Sequence, residues 1–181
     1  MDSTTTNIRN SKKGFTLVEM LATLVIVVLF TMLLTTFIDL TSKYFQNTVR
    51  NSDAQTLAST LTNAIQDELR YATDIEIDAS AEPNYTYFST SLGLGKGCVL
   101  KHDKKLVNGE ERYIILIESP TREDYPLINY GSYVYDVNAY IEAEYVNNKF
   151  EVVLTIKDSK DKEICKSEFS VVPLNPNLSE K

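Results

Sequence analysis

Few residues in this sequence have the type and spacing that chemistry requires. His102 is the sole histidine, and it stands beside Asp103. No serine or cysteine near it has a recognisable nucleophile setting, so it reads as an exposed loop histidine rather than a general base. Gly93-Leu94-Gly95-Lys96-Gly97 has the glycine content of a phosphate cradle. It lacks the spacing and the Lys-Ser/Thr pair of a P-loop and opens no evident helix, which makes it a surface loop. Asp158, Asp161 and Glu163 offer oxygen ligands that would suit calcium, without an EF-hand spacing, and they fit a solvated hairpin loop equally well. No metal site and no cofactor are expected. Cys98 and Cys165 are the two cysteines. They allow either a single disulfide outside the cytoplasm or two unpaired buried thiols. The eleven tyrosines are mainly what strands prefer.

Length and charge narrow the class. The 181 residues suffice for one domain of ordinary size plus an appendage, and 43% hydrophobic content suits a folded chain. The formal charge of -7 and the lack of a basic run exclude the footprint that a phosphate backbone needs, so no direct nucleic-acid binding is expected.

From Phe15 to Ile38 the only charged residue is Glu19. Such a stretch exceeds the roughly 20 residues with which a helix crosses the hydrocarbon layer. Arg9, Lys12 and Lys13 precede it, which by the positive-inside preference keeps the N-terminus cytoplasmic and sends the remainder outward. A secretory signal would end in small residues of the A-x-A kind, whereas the chain continues Thr36-Phe37-Ile38-Asp39-Leu40. A lipoprotein would need a cysteine just behind the apolar core, and the nearest is Cys98. A plain anchor gives no reason for a carboxylate within the apolar run, where it costs up to about 3 kcal/mol depending on depth.

Lys12-Lys13-Gly14-Phe15-Thr16-Leu17-Val18-Glu19-Met20-Leu21 resembles the processing and methylation motif of type IV prepilins and pseudopilins. The basic leader, the Gly-Phe junction and a glutamate five residues into the mature chain carry the likeness. It implies that a prepilin peptidase cuts between Gly14 and Phe15 and that the new Phe15 amine is methylated. It also implies assembly with other pilin or pseudopilin subunits through a membrane platform, with membrane lipid around the helix. Residues Leu61 to Ala72 are similar to minor pseudopilins of secretion and competence systems, which favours a minor over a main subunit. Removal of residues 1–14 takes three of the 18 basic residues and one of the 25 acidic ones, leaving a mature chain of charge -9. In that chain an amine from a neighbouring subunit would offset the cost of holding Glu19 in a helix bundle. The rivals are an anchored external binding module that never polymerises and keeps residues 1–14, and an enzyme, for which titratable groups clustered in a pocket would be needed.

Behind the apolar stretch the helical pattern continues without glycine or proline up to Pro83. Leu57, Leu61, Ile65 and Leu69 recur every four residues, beside Ala54, Ala58, Ala64 and Ala72. An unbroken helix from Phe15 to about Tyr71 would be ~85 Å long at 1.5 Å per residue. The polar section from Asp39 to Asn51 leaves room for a bend. The period then changes from helix to strand: Asp74 to Asp78, Tyr85 to Phe88, Cys98 to Leu100 and a buried Tyr113 to Ile117. Tyr133 to Val146 alternates, with Tyr135 among its apolar positions, and Asn147-Asn148 offers a tight turn into Phe150 to Ile156. A last strand runs from about Glu163 to Val172 and ends at Pro173 and Pro176. The expected fold is therefore α+β and pilin-like, with a long N-terminal helix on an antiparallel sheet. Its segments are a leader (1–14), a membrane helix (15–38), a helix continuation (39–72), a β-rich head (73–172) and a loose tail (173–181).

Overall fold

A computed structural model describes residues 14–133 and 136–180. Among the described residues one α-helix, α1 (Leu17–Arg70), is followed by nine strands: β1 (Thr73–Ile77), β2 (Tyr85–Ser89), β3 (Gly95–Val107), β4 (Glu110–Ser119), β5 (Arg122–Pro126), β6 (Val137–Val146), β7 (Lys149–Asp158), β8 (Glu163–Val171) and β9 (Leu178–Glu180). The architecture is α+β, as the sequence predicts. The chain forms two compact units divided between Asn47 and Thr48.

The first unit is the apolar part of α1. The polar section from Asp39 to Asn51 is helical. Its side chains, from Leu17 to Phe45, are exposed. Several threonines in this stretch satisfy their own hydroxyls: Thr31 and Thr36 donate to the carbonyls of Val27 and Met32 at 2.7 and 3.0 Å. That self-satisfaction makes threonine tolerable in a lipid environment.

The second unit is the head. Ala54, Leu57, Ala58, Leu61, Ile65 and Leu69 line the buried stripe of α1, which the four-residue spacing predicts. Two sheets receive it: a six-stranded sheet in the order β5-β4-β3-β2-β1-β9 and a three-stranded sheet in the order β6-β7-β8. All pairings are antiparallel except β1 with β9. The β6–β7 hairpin turns on Asn147 and Asn148 at φ 52° and 62°, the left-handed pair that a two-residue turn demands. Asn108 and Gly109, at φ 53° and 87°, do the same between β3 and β4.

Several expectations need correction. The short piece at Cys98 to Leu100 is part of a 13-residue strand, because charged residues along β3 pair with β4, for example Lys104 with Glu111 at 2.8 Å. Arg122–Pro126 adds a strand that the sequence reading does not contain. Tyr133 precedes β6 and caps a 3-10 turn at Tyr130–Ser132, so the alternation begins at Val137; Tyr135 lies outside the described residues. The tail is not loose. Leu174 N–H donates to the Arg70 carbonyl, Ile75 N–H donates to the Asn177 carbonyl, and Leu178–Glu180 pairs parallel with β1. The prolines end β8 at Val171, and the chain beyond them satisfies the open edge of β1.

The two sheets meet where their ladders stop, and side chains take over the backbone hydrogen bonds there. Asn84 accepts from Tyr145 N–H at 2.9 Å and donates to its carbonyl at 3.3 Å. Asn138 Oδ1 accepts from Tyr113 N–H at 3.0 Å, and the Tyr133 hydroxyl accepts from Ile115 N–H at 2.9 Å. Burial around that phenol pushes its pKa up to about 12, which keeps it a neutral hydroxyl.

Candidate functional site

The residues singled out for processing and assembly lie at the start of α1. Thr16 is its N-cap, for the Thr16 carbonyl accepts the first helical bond, from Met20 N–H at 3.2 Å. Glu19 occupies the third helical position. Its Oε2 accepts from both the N–H and the hydroxyl of Thr16 at 2.9 Å each, and the Thr16 hydroxyl accepts from Glu19 N–H at 3.3 Å. This is a reciprocal capping box, and it satisfies donors that a helix start otherwise leaves unpaired. The negative carboxylate also sits at the positive end of the helix dipole. Sequence reasoning assigned Glu19 to a partner's amine and gave Thr16 no role beyond its place in the motif. The T-x-x-E spacing directly before an apolar run was the available signal.

Phe15 is exposed at the head of the helix. At Gly14, a Cβ would meet no heavy atom of the described residues within 4 Å, so packing against those residues does not ask for glycine there. Arg9, Lys12 and Lys13 lie outside the described residues.

Residues 9–35 match the family model described as the prokaryotic N-terminal methylation motif. The chain carries the N-terminal signal of type IV pilins and pseudopilins. No curated protein and no solved structure matches it. The signal at residues 9–35 runs into the apolar first part of α1, a helix long and apolar enough to cross a membrane. Together the signal and the helix point to a membrane-anchored subunit of structural type.

Within the head, the remaining sequence candidates take other positions. The possible Cys98–Cys165 disulfide is not formed: both thiols are free. Cys98 is in β3 of the larger sheet, with its Sγ 3.4 Å from the Gly95 carbonyl, whereas Cys165 is in β8 of the smaller sheet, with its Sγ against the Ala54 carbonyl at 3.8 Å. Burial raises the pKa of both. His102 is not an exposed loop residue. It is half-buried in β3, its Nδ1 lies 3.0 Å from the Ile141 carbonyl, and its ring packs edge-on against Tyr140 with centroids 5.1 Å apart. Its role is to join the two sheets.

Asp158 is buried, and its Oδ1 accepts from the N–H groups of Lys160 and Lys162 at 2.9 Å each while Arg50 lies 4.0 Å from its Oδ2. Those contacts organise the β7–β8 turn and occupy the carboxylate that a cation would need. Among the described residues no group of three or more His, Cys, Asp or Glu side chains could hold a metal ion. In the glycine-rich stretch, Gly97 has φ 77° and a Cβ there would come within 3.1 Å of Pro120, so its glycine serves packing between β3 and the β4–β5 turn.

The sequence did not signal Glu68, which is buried on the inner face of α1 and hydrogen-bonded to the Ser91 hydroxyl. It ties the last turn of the helix to the β2–β3 loop.

Proposed function

We propose that this protein is a subunit of a type IV pilus, a competence pseudopilus or a secretion-like filament, processed after Gly14 and assembled through its N-terminal helix. The observation that carries the reading is the methylation motif at residues 9–35, which ends in an exposed apolar helix with a single acid in its first turn. A glycine at position 14 that no packing contact with the described residues requires fits recognition by a processing enzyme.

Cutting leaves a cationic amine on Phe15 at the positive end of the α1 dipole, an unfavourable place for it. Glu19 carboxylates offset that charge, and between subunits such a pairing sets the register of helix against helix. The N-terminus stays cytoplasmic, the head is external, and the chain acts as a minor subunit whose head meets other subunits or cargo. Prepilin peptidase, the membrane platform and surrounding lipid are its partners, and the chain performs no catalysis of its own.

N-terminal mass spectrometry of the membrane form tests this. Wild type should begin at a methylated Phe15, Gly14→Ala should retain residues 1–14, and Glu19→Ala should be cut yet enter filaments poorly. A wild-type chain that keeps its first fourteen residues in a peptidase-positive host would overturn the reading and leave an anchored external module.

A further inference from the structure

Asp39 does not end the apolar surface of α1. Phe37, Leu40 and Tyr44 follow one another at i, i+3 and i+7 and share a helix face, with Phe45 beside it, while Asp39, Lys43 and Gln46 fall on another face. Phe37, Leu40, Tyr44 and Phe45 are 66%, 68%, 74% and 67% exposed, so the folded chain leaves this stripe open. A contiguous apolar patch of that kind marks an interaction surface.

The positions of the charges say what the surface meets. Between Leu17 and Phe45 the charged residues are Glu19, Asp39 and Lys43. At 1.5 Å per residue Glu19 and Asp39 stand about 30 Å apart along the axis, the thickness of the hydrocarbon layer. Leu17 to Phe45 measures about 42 Å, the thickness of a bilayer with its headgroup regions included. One placement satisfies both lengths. Glu19 and Asp39 lie at the two boundaries of the hydrocarbon, Phe30 lies near its middle, and Lys43, Tyr44 and Phe45 lie in the second headgroup layer. Aromatic rings with an apolar body, a phenol tip that reaches water and a lysine drawn to lipid phosphate are the side chains that such a layer holds.

We infer that Leu40, Tyr44 and Phe45, with Lys43 beside them, form an anchor in the phospholipid headgroup layer that extends the lipid contact of α1 past Ile38 and fixes the depth of the helix. A second copy of the helix is the poorer occupant, because helices in lipid approach one another on small side chains and this stripe consists of large ones. The same placement keeps Glu19 at the edge of the hydrocarbon while the chain is in the membrane, where a carboxylate costs far less than at depth. The inference rests on the membrane reading of α1 and concerns the chain before assembly.

The chain has no tryptophan of its own, so Phe30→Trp and Phe45→Trp each supply a single fluorophore. The full chain is placed in phospholipid nanodiscs, one chain per disc, with lipids brominated either near the headgroup end of the acyl chain or near its methyl end. Deep bromine should quench Phe30→Trp about threefold more than shallow bromine does, and the order should reverse by a similar factor for Phe45→Trp. In the Phe30→Trp background, adding Tyr44→Ser and Phe45→Ser should change the deep-to-shallow quenching ratio by about twofold, because depth and tilt follow the interfacial anchors. A Phe30→Trp chain that responds to neither lipid would overturn the membrane reading and the inference with it. With Phe30→Trp quenched by deep bromine, the inference alone falls if Phe45→Trp emits as in water without quenching, if deep bromine quenches it best, or if the serine variant leaves the ratio unchanged. It falls equally if Phe45→Trp is shielded only in discs that carry several chains, which would assign the stripe to a second copy.

Discussion

Thr16 and Glu19 hold each other at the start of α1, the carboxylate taking two donors of the threonine and the threonine hydroxyl taking the amide of the glutamate. A residue proposed to contact a neighbouring subunit is therefore already engaged within its own chain. The two roles separate by substitution, because glutamine also completes a capping box whereas alanine does not. Glu19→Gln should keep the helix start but lose the charge, and it should be processed normally and appear in sheared filaments about tenfold less than wild type. Thr16→Ala should weaken the helix start by about 1 kcal/mol and assemble nearly as well as wild type. Equal incorporation of Glu19→Gln and wild type, read by quantitative mass spectrometry of filaments, would reduce Glu19 to a cap.

Asn84 stands in for a missing strand. It gives Tyr145 both an acceptor and a donor where β6 has no backbone neighbour, and it sits at the junction of the two sheets. Asn84→Leu strands one N–H and one carbonyl, so the head should lose about 2 kcal/mol of stability. Asn84→Asp keeps the acceptor but cannot donate to the carbonyl, and should be destabilised too. Chemical denaturation followed by tyrosine CD checks this, with a lower midpoint and an unchanged slope as the expected result.

How much of this was legible in the sequence varies by element, for physical reasons. The helix and the β6–β7 hairpin announce themselves through strict periods and through Asn147-Asn148. The N-terminal signal at residues 9–35 is legible because a lone acid in an apolar run has few explanations. Much of β3 was missed because Lys101 to Lys105 read as loop, although Asn108-Gly109 marks a hairpin and Glu110 and Glu111 supply opposite charges on β4. The β9 strand was missed because its pairing with β1 joins distant segments, and no local pattern encodes which open edge a tail will find. His102 and Asn84 were beyond reach for the same reason: their partners, Ile141 and Tyr145, are backbone groups far along the chain.

Both thiols are free, and both are shielded. Alkylation of the denatured chain without reductant should add two groups, and the native chain should react slowly at neutral pH, since burial raises both pKa values and the thiolate is the reactive form. Cys165, half-buried against α1, should react before the fully buried Cys98. A denatured chain that takes up no alkyl group until reduced would establish a disulfide in the mature protein.

Acid stability should depend on Asp158. The N–H groups of Lys162 and Lys160 and the nearby Arg50 hold its carboxyl below the usual aspartate range, against an opposing contribution from burial. With the folded pKa below the unfolded value of about 3.9, the unfolded chain binds the proton more readily. The stabilisation is thus fully present above that value and fades as pH falls through the folded pKa. Asp158→Asn keeps an oxygen for the two N–H donors but carries no charge. At pH 6 the variant should melt below wild type, and the gap should close progressively as pH drops from about 4. Asp74, Asp103, Glu111 and Glu168, also lowered, titrate in both proteins and so cancel from the difference. A gap that stays constant from pH 6 to pH 3 would mean that the charge of Asp158 contributes nothing and that the turn is held by hydrogen bonding alone.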